Sequence, residues 1–329
     1  MNIVIVIKSK IPVFLYGGTQ RVMWSLGKEL ARLGHKVTFI AGKGSTCDFA
    51  RIVEYQSDVD IATLIPPDTD IVHFNDAVPE GFNAKPYVVT LHGNRPSGTL
   101  DKNTIFVSRN HAERFGGTCY VYNGLDWDEY GDIDLSAKRH DYHFLGKAAW
   151  SVKNVRGAID IIKQIPGEKL NVLGGTRLNL KMGFRLTLTP KARFKGMVGG
   201  TEKVDYLKSS KGLIFPVLWD EPFGLAITES LYCGAPVFGT THGSLPELVT
   251  PEVGFLSNVE AELVESIKAN DFSPKLCHEY AREMFSANAM AEKCNGGGYL
   301  GMYERVLRGE SLNPQTPRPI KPFDRYKML

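Results

Sequence analysis

The sequence predicts an α/β protein built as two doubly wound domains. Three observations carry that prediction. Short β-branched or aromatic runs alternate with amphipathic stretches of helical period, the pattern of a parallel sheet covered by helices on both faces. The alternation runs once from Asn2 to Tyr122 and starts afresh at Tyr142. The chain has 329 residues, which suggests two domains rather than one.

In order, Asn2–Ile7 reads as a buried first strand. It is followed by a glycine loop, Tyr16-Gly17-Gly18, and an amphipathic helix over Thr19–Leu33 with Thr19 as N-cap. Gly34 stands where a helix-ending glycine stands. Strands are expected at His35–Ala41, Ile71–Asn75, Tyr87–Leu91, Thr104–Val107 and Cys119–Tyr122. The polar stretch Asp132–Lys138 closes this half, giving a first domain over residues 1–137. The second series has strands at Tyr142–Gly146, Leu170–Leu173, Phe194–Val198, Gly212–Val217 and Val237–Thr240. Helices are expected at Val155–Ile165, Thr201–Ser210 and Glu260–Ala269, within a second domain over 138–295. Ser286–Arg308 reads as helix broken at Gly296-Gly297-Gly298, and the proline-bearing tail after Asn313 as extended or disordered.

The totals narrow the class. A 43% hydrophobic and 23% charged composition is that of a soluble globular protein, and no apolar run approaches the ~20 residues of a membrane span. Lys8 and Lys10 interrupt the first apolar run too early for a signal peptide. The five cysteines contain no CxxC pair, which fits a reducing cytosol and offers no metal site. A net charge of +3 makes no case for nucleic acid and permits loose, peripheral contact with anionic lipid. The DxD triplets (Asp58-Val59-Asp60, Asp68-Thr69-Asp70, Asp126-Trp127-Asp128 and Asp132-Ile133-Asp134) read as solvated loops, and no metal is expected.

Most of the chemistry lies in Phe215–Pro236, FPVLWDEPFGLAITESLYCGAP. A buried strand turns through Trp219-Asp220-Glu221-Pro222 and enters a helix near Gly224, so the amides of Phe223, Gly224 and Leu225 lie at a helix N-terminus. Orphan donors and the helix dipole both favour an anion there. Two carboxylates, Glu221 and Glu229, flank that place and call for hydroxyl or cationic partners. A ligand both phosphorylated and polyhydroxylated supplies them; on spacing alone, solvated charges around an ordinary turn are an equal reading. Gly17-Gly18 at the first strand's end lets a phosphate or sugar approach the backbone, and on these residues alone is equally a tight turn. It is not GxGxxG, so the dinucleotide fingerprint is missing.

Glu221-Pro222-Phe223-Gly224-Leu225 with Glu229, then Gly234-Ala235-Pro236-Val237, Gly243-Ser244-Leu245-Pro246-Glu247 and Val253-Gly254-Phe255-Leu256, resembles the signature of family 4 retaining glycosyltransferases of the GT-B fold. The resemblance is densest from His143 to Leu256 and implies two Rossmann-like domains facing across a cleft, acceptor domain first and nucleotide-sugar domain second. It implies that residues 296–329 bring a helix, Tyr299–Val306, back to the first domain. It implies Glu221 on the donor-sugar hydroxyls, Glu229 on the ribose, and the amides of Phe223, Gly224 and Leu225 on phosphate and sugar. Lys147 and Lys153 would grip the diphosphate, although the family's usual arginine is replaced by Lys147 and the insert Ala148–Val152 departs from its pattern. Backbone near Gly196-Met197-Val198 would hold the base, Gly17 and Gly18 would lie over the donor, and Arg21 would reach the acceptor. His92 would contact the transferred sugar, which makes Glu221, His92 and Lys153 the catalytic set.

The function so implied is transfer of a sugar from a UDP- or GDP-sugar to a hydroxyl of a glycan or lipid-linked acceptor. It would proceed with retention and without a metal or other cofactor, in surface polysaccharide or glycoconjugate biosynthesis. Two alternatives stay open. One is a phosphorylase or synthase of the same fold using sugar phosphates, favoured if Lys8, Lys10 and Arg21 line the acceptor site. The other is a nucleotide-binding partner subunit without catalysis.

Overall fold

The computed structural model describes residues 1–13, 17–180, 182, 184–294, 296–320 and 325–329. Tyr16 of the expected glycine loop lies outside them. The chain forms two compact units, Met1–Trp127 with Met284–Pro322 and Asp128–Glu283 with Phe323–Leu329.

Unit 1 comprises β1 (Asn2–Ile7), α1 (Gly18–Arg32), β2 (Lys36–Ala41), β3 (Arg51–Glu54), α2 (Ile61–Leu64), β4 (Ile71–Asn75), β5 (Tyr87–Leu91), β6 (Thr104–Phe106) and α3 (Arg109–Arg114). The six strands form one sheet in the order β3-β2-β1-β4-β5-β6, parallel throughout. Continuous apolar runs suit strands buried on both faces: Ile3 to Ile7 are all buried. The order reverses between β1 and β4, and ligands in such sheets bind beyond the strand ends at that point.

Unit 2 repeats the plan. It comprises β7 (Tyr142–Leu145), α4 (Val155–Lys163), β8 (Leu170–Leu173), the hairpin β9 (Leu178–Asn179) and β10 (Arg185–Leu186), β11 (Ala192–Phe194), α5 (Gly200–Lys208), β12 (Leu213–Phe215), α6 (Leu225–Tyr232), β13 (Val237–Gly239), α7 (Leu245–Leu248), β14 (Gly254–Leu256), α8 (Glu260–Ala269) and α9 (Pro274–Met284). Its parallel sheet runs β11-β8-β7-β12-β13-β14, with the reversal between β7 and β12. The β8–β11 crossover holds a hairpin in place of a helix, tied down by Arg177 bonds to the Thr187, Thr189 and Ala192 carbonyls. Helix α10 (Gly298–Leu307) follows in unit 1.

Several expectations shift. The strand expected at Phe194–Val198 is Ala192–Phe194, because Gly196 turns the chain at φ +73°. Cys119–Tyr122 makes one bridge to Phe106 rather than a strand; the Asn313 side chain takes the amides of Thr118 and Cys119. Gly17, not Thr19, stands before α1, without a side-chain cap. The division between units falls ten residues before the expected Lys138, and Tyr130, just ahead of the polar stretch, already bonds Glu229 of unit 2. The return to unit 1 begins near Met284 rather than at Gly296, because Phe285 and Ala287 exchange backbone bonds with Leu125. Helix α10 sits on β4 and β5: Tyr303 bonds His73 Nδ1 at 2.8 Å, and Tyr299 bonds the hydroxyl of Thr90 at 3.0 Å. Residues 313–320 of the tail run along unit 1, with Leu100 donating to Pro317 O, Arg318 to Phe115 O and Ile320 to Arg114 O.

Candidate active site

In unit 2 the switch point gathers the residues that the motif singles out. Strand β12 ends at Phe215, and the chain crosses Trp219-Asp220-Glu221-Pro222 without regular structure before α6 opens at Leu225. Gly224 precedes that helix at φ +95°, where a Cβ would press on Ile227 Cδ1 at 3.0 Å, so only glycine turns here without strain. Helix α6 is buried from Ala226 to Tyr232, as befits the helix wedged at the sheet's centre. His143 on β7 helps to seat it, since its Nε2 meets Ser230 Oγ at 2.8 Å. Burial lowers the His143 pKa to about 3, which keeps that ring neutral.

Glu221 and Glu229 are both buried, at 6% and 3% exposure. Buried carboxylates need partners, and each has a lysine. Lys153, from the turn before α4, places Nζ 2.5 Å from Glu221 Oε2, and Trp219 Nε1 donates to the same oxygen at 2.8 Å. The ammonium also lies 5.0 Å from the Trp219 ring and 5.3 Å from that of Phe215. Glu229 takes Lys203 of α5 and the Tyr130 hydroxyl, both on Oε1. Lys203 lies one residue before Val204 and four before Leu207, on the buried stripe of α5, and is itself 6% exposed.

The other expected residues of this unit stand at strand ends. Lys147 follows β7 and lies 5.3 Å above the Trp150 ring. Met197 and Val198 follow β11, Met197 exposed and Val198 buried. Ser244 closes the far side of the motif: its N–H donates to Glu221 O at 2.9 Å and its hydroxyl to Phe223 O at 2.6 Å. Sequence reasoning passed over Trp219, Tyr130 and Lys203. Only the lysine left a trace, a charge on the apolar stripe of a helix.

In unit 1, Gly17 precedes α1 at φ +157°, and Arg21 lies half-buried in its first turn, its N–H donating to Gly17 O. His92 follows β5, and its Nε2 meets Asn75 Oδ1 of β4 at 2.6 Å. Burial lowers its pKa to about 4 against the opposing pull of Asp76, so the ring is neutral near pH 7. Lys8 and Lys10 flank the end of β1, with Lys8 5.7 Å over the Tyr55 ring. Among the DxD aspartates, Asp60 caps α2, Asp70 accepts from the Asn2 amide, Asp126 pairs with Lys28 and Asp134 accepts from Ser136. Among the described residues, no three His, Cys, Asp or Glu side chains converge on one point, and no helix is long and apolar enough to cross a membrane.

Residues 138–284 match the family model described as glycosyl transferases group 1. This stretch is similar to the group 1 glycosyltransferases. It contains Lys147, Lys153, Lys203, Glu221 and Glu229. The fold of the whole chain is GT-B, shared with solved glycosyltransferases. AviGT4, a glycosyltransferase involved in avilamycin A biosynthesis, superposes with a TM-score of 0.75 at 21% identity, over 94% of this chain and 98% of that one. The catalytic domain of starch synthase IV from Arabidopsis thaliana, bound to ADP and acarbose, gives 0.68 at 13% identity, over 93% and 99%. Anabaena HepE in complex with UDP-glucose gives 0.62 at 17% identity, over 94% and 99%. No curated protein matches the chain in sequence.

Proposed function

We propose that the protein is a retaining glycosyltransferase of family 4 that moves a sugar from a nucleoside diphosphate sugar to a hydroxyl of a glycan or lipid-linked acceptor. The observation that carries this reading is the pair Glu221 and Glu229. Two buried carboxylates bracket one strand-to-helix turn, each charge-matched by a lysine, at the point where the unit 2 sheet reverses. Both bonds to Glu221 fall on Oε2, which leaves Oε1 to accept from a donor-sugar hydroxyl. Glu229 accepts from the ribose, and the amides of Phe223 to Leu225 with Lys147 hold the diphosphate. Lys153 holds Glu221 in register and shares its ammonium with the leaving phosphate.

Stabilising the charge that develops on a departing diphosphate is the strongest catalytic effect open to such a site, and fixed lysines and amides achieve it without reorganising. The anomeric carbon–oxygen bond to the diphosphate breaks as the acceptor oxygen bonds to that carbon on the same face. The acceptor proton passes to a leaving-phosphate oxygen, so neither Glu221 nor the neutral His92 exchanges a proton. His92 contributes a sugar contact, Gly17 and Gly18 lie over the donor, Arg21 serves the acceptor, and backbone at Met197 and Val198 faces the base. Neighbours bound to UDP-glucose and to ADP support a nucleotide ligand of this kind.

The test is a thermal-shift panel of UDP, GDP, ADP, CDP, TDP and NAD, without and then with magnesium. A ligand at a hundred times its Kd adds about 2.7 kcal/mol of stability, so one diphosphate stabilises the protein without metal and Glu229→Gln abolishes the shift. The anomeric configuration of the transfer product, read by NMR, then matches that of the donor. Indifference to every diphosphate overturns the reading.

A further inference from the structure

We propose that the segment Arg325–Leu329 is a strap that positions the loop carrying Glu221, with Tyr326 as its positioning residue. The catalytic consequence rests on the reading of Glu221 given above; the mechanical one does not. The segment belongs to unit 2 and runs beside the turn after β12. The Tyr326 N–H donates to Leu218 O at 3.0 Å, and its hydroxyl reaches the two carboxylate oxygens of Asp220 at 3.1 and 3.2 Å. Its ring lies flat on the imidazole of His242, with centroids 3.9 Å apart and planes 8° from parallel. Three residues on, Leu329 donates to Asn258 O and accepts from the Glu260 amide, both at 2.9 Å, which ties the strap to the start of α8. Met328 packs on the unit 2 core, and its Sδ lies 3.5 Å from Asn154 Nδ2, which also donates to Pro216 O.

The loop is thereby bracketed almost residue by residue. Pro216 is held through Asn154, Leu218 by the Tyr326 amide and by its own bond to Val152, Asp220 by the Tyr326 hydroxyl, and Glu221 by Ser244 from the other side. That matters because residues 216–224 belong to no helix or strand, so no ladder fixes them. A group misplaced by about 1 Å in such a site loses on the order of a hundredfold in rate. His242 points the same way. It is 9% exposed, its Nε2 is buried without a hydrogen-bond partner among the described residues, and the face of Tyr326 is what packs it in place. A segment docked only to bury Met328 needs none of these polar contacts at Tyr326.

Three variants test the strap: Tyr326→Ala, Tyr326→Phe (which keeps the stack on His242 and loses the bond to Asp220), and a chain stopped after Ile320. Amide hydrogen exchange reads the loop whatever the protein's activity; turnover of the nucleotide sugar chosen by the panel reads the chemistry. In Tyr326→Ala, exchange over 216–224 rises about tenfold or more while α6 and α8 keep their protection. Its kcat falls about tenfold with the donor KM within about threefold. Tyr326→Phe recovers most of both, and the shortened chain behaves like Tyr326→Ala or worse. Unchanged exchange over 216–224 in Tyr326→Ala overturns the strap. So does faster exchange spread evenly over unit 2, which marks a general loss of stability. If the loop loosens but the unaltered chain binds no diphosphate, the strap stands and the reading of Glu221 falls.

Discussion

At the scale of single residues, the site is decided by how four charges are hidden. Glu221, Glu229, Lys153 and Lys203 are all nearly buried, and each carboxylate shares one oxygen between a lysine and an aromatic donor. Removing one member of a buried pair leaves the other uncompensated, at about 3–5 kcal/mol, whereas replacing both by neutral groups of like size costs far less. Lys203→Met therefore lowers the thermal midpoint of unit 2 by about 10 °C, and Lys203→Met with Glu229→Gln recovers most of the loss. Equal midpoints for the single and double variants in a melting series would show that the pair carries no coupling. Tyr130→Phe removes one hydrogen bond to a charged acceptor, worth about 1.5–3 kcal/mol, and is the milder change. These partners explain what the sequence showed only in part. The glutamates stand in a recognisable run, but Lys203 and Tyr130 reach Glu229 from 26 and 99 residues away. No local pattern announces such a contact.

At the scale of elements, the loops between strand and helix that hold the candidate site are fixed by backbone fit. Gly243 is the sharpest case: at φ +64°, a Cβ there would lie 2.2 Å from Glu221 N. Gly243→Ala must push the Glu221 loop aside, and donor turnover drops by about tenfold or more. Gly309→Ala at φ +83° meets open space, carries only the backbone strain of about 1 kcal/mol, and leaves turnover alone. Comparable losses in the two variants would show that backbone strain, not the collision, is what matters. Most of the fold was legible because its strands are apolar runs of the right length: β1, β4, β5, β8 and α8 lie where periodicity puts them. The misses have local causes. The glycine turn at Gly196 cut β11 short, and the β9–β10 hairpin stands where the crossover alternation called for a helix. Short β3 and β14 owe their pairing to neighbours rather than to their own four and three residues. The long-range ties of α10 to His73 and Thr90 run across 209 to 230 residues and leave no local trace beyond two tyrosines on one helix face.

At the scale of the whole molecule, both units are built around a fully buried neutral histidine, and this makes stability depend on pH in a predictable direction. His73 in unit 1 lies between Tyr303 and Thr90; His143 in unit 2 lies between Ser210 and Ser230. Hydroxyl groups satisfy all four nitrogens, so neither ring has a carboxylate partner on its nitrogens to favour its charged form. Burial accordingly lowers both pKa values from 6.5 to about 3. Between those values the unfolded chain binds protons that the folded chain refuses, so stability rises with pH across that window and is level above it. The contribution of each ring is thus complete above pH 6.5 and shrinks as pH falls, by up to about 1.4 kcal/mol per pH unit. At pH 5, where few carboxylates have yet titrated, each of these two rings has removed about 2 kcal/mol, and in unit 1 His92 at about 4 and the buried His111, lowered well below 6.5, add to the loss. Thermal melts from pH 7.5 to pH 5 check this: the midpoint is flat to about pH 6.5 and then declines. His73→Gln lessens the decline for unit 1, where His92 and the buried His111 still refuse protons, and His143→Gln flattens it for unit 2, each with lower stability at pH 7.5, because glutamine does not reproduce both hydroxyl contacts. A parent midpoint that stays constant down to pH 5 would mean that both rings find a proton's worth of stabilisation in the fold, and the burial argument would be wrong.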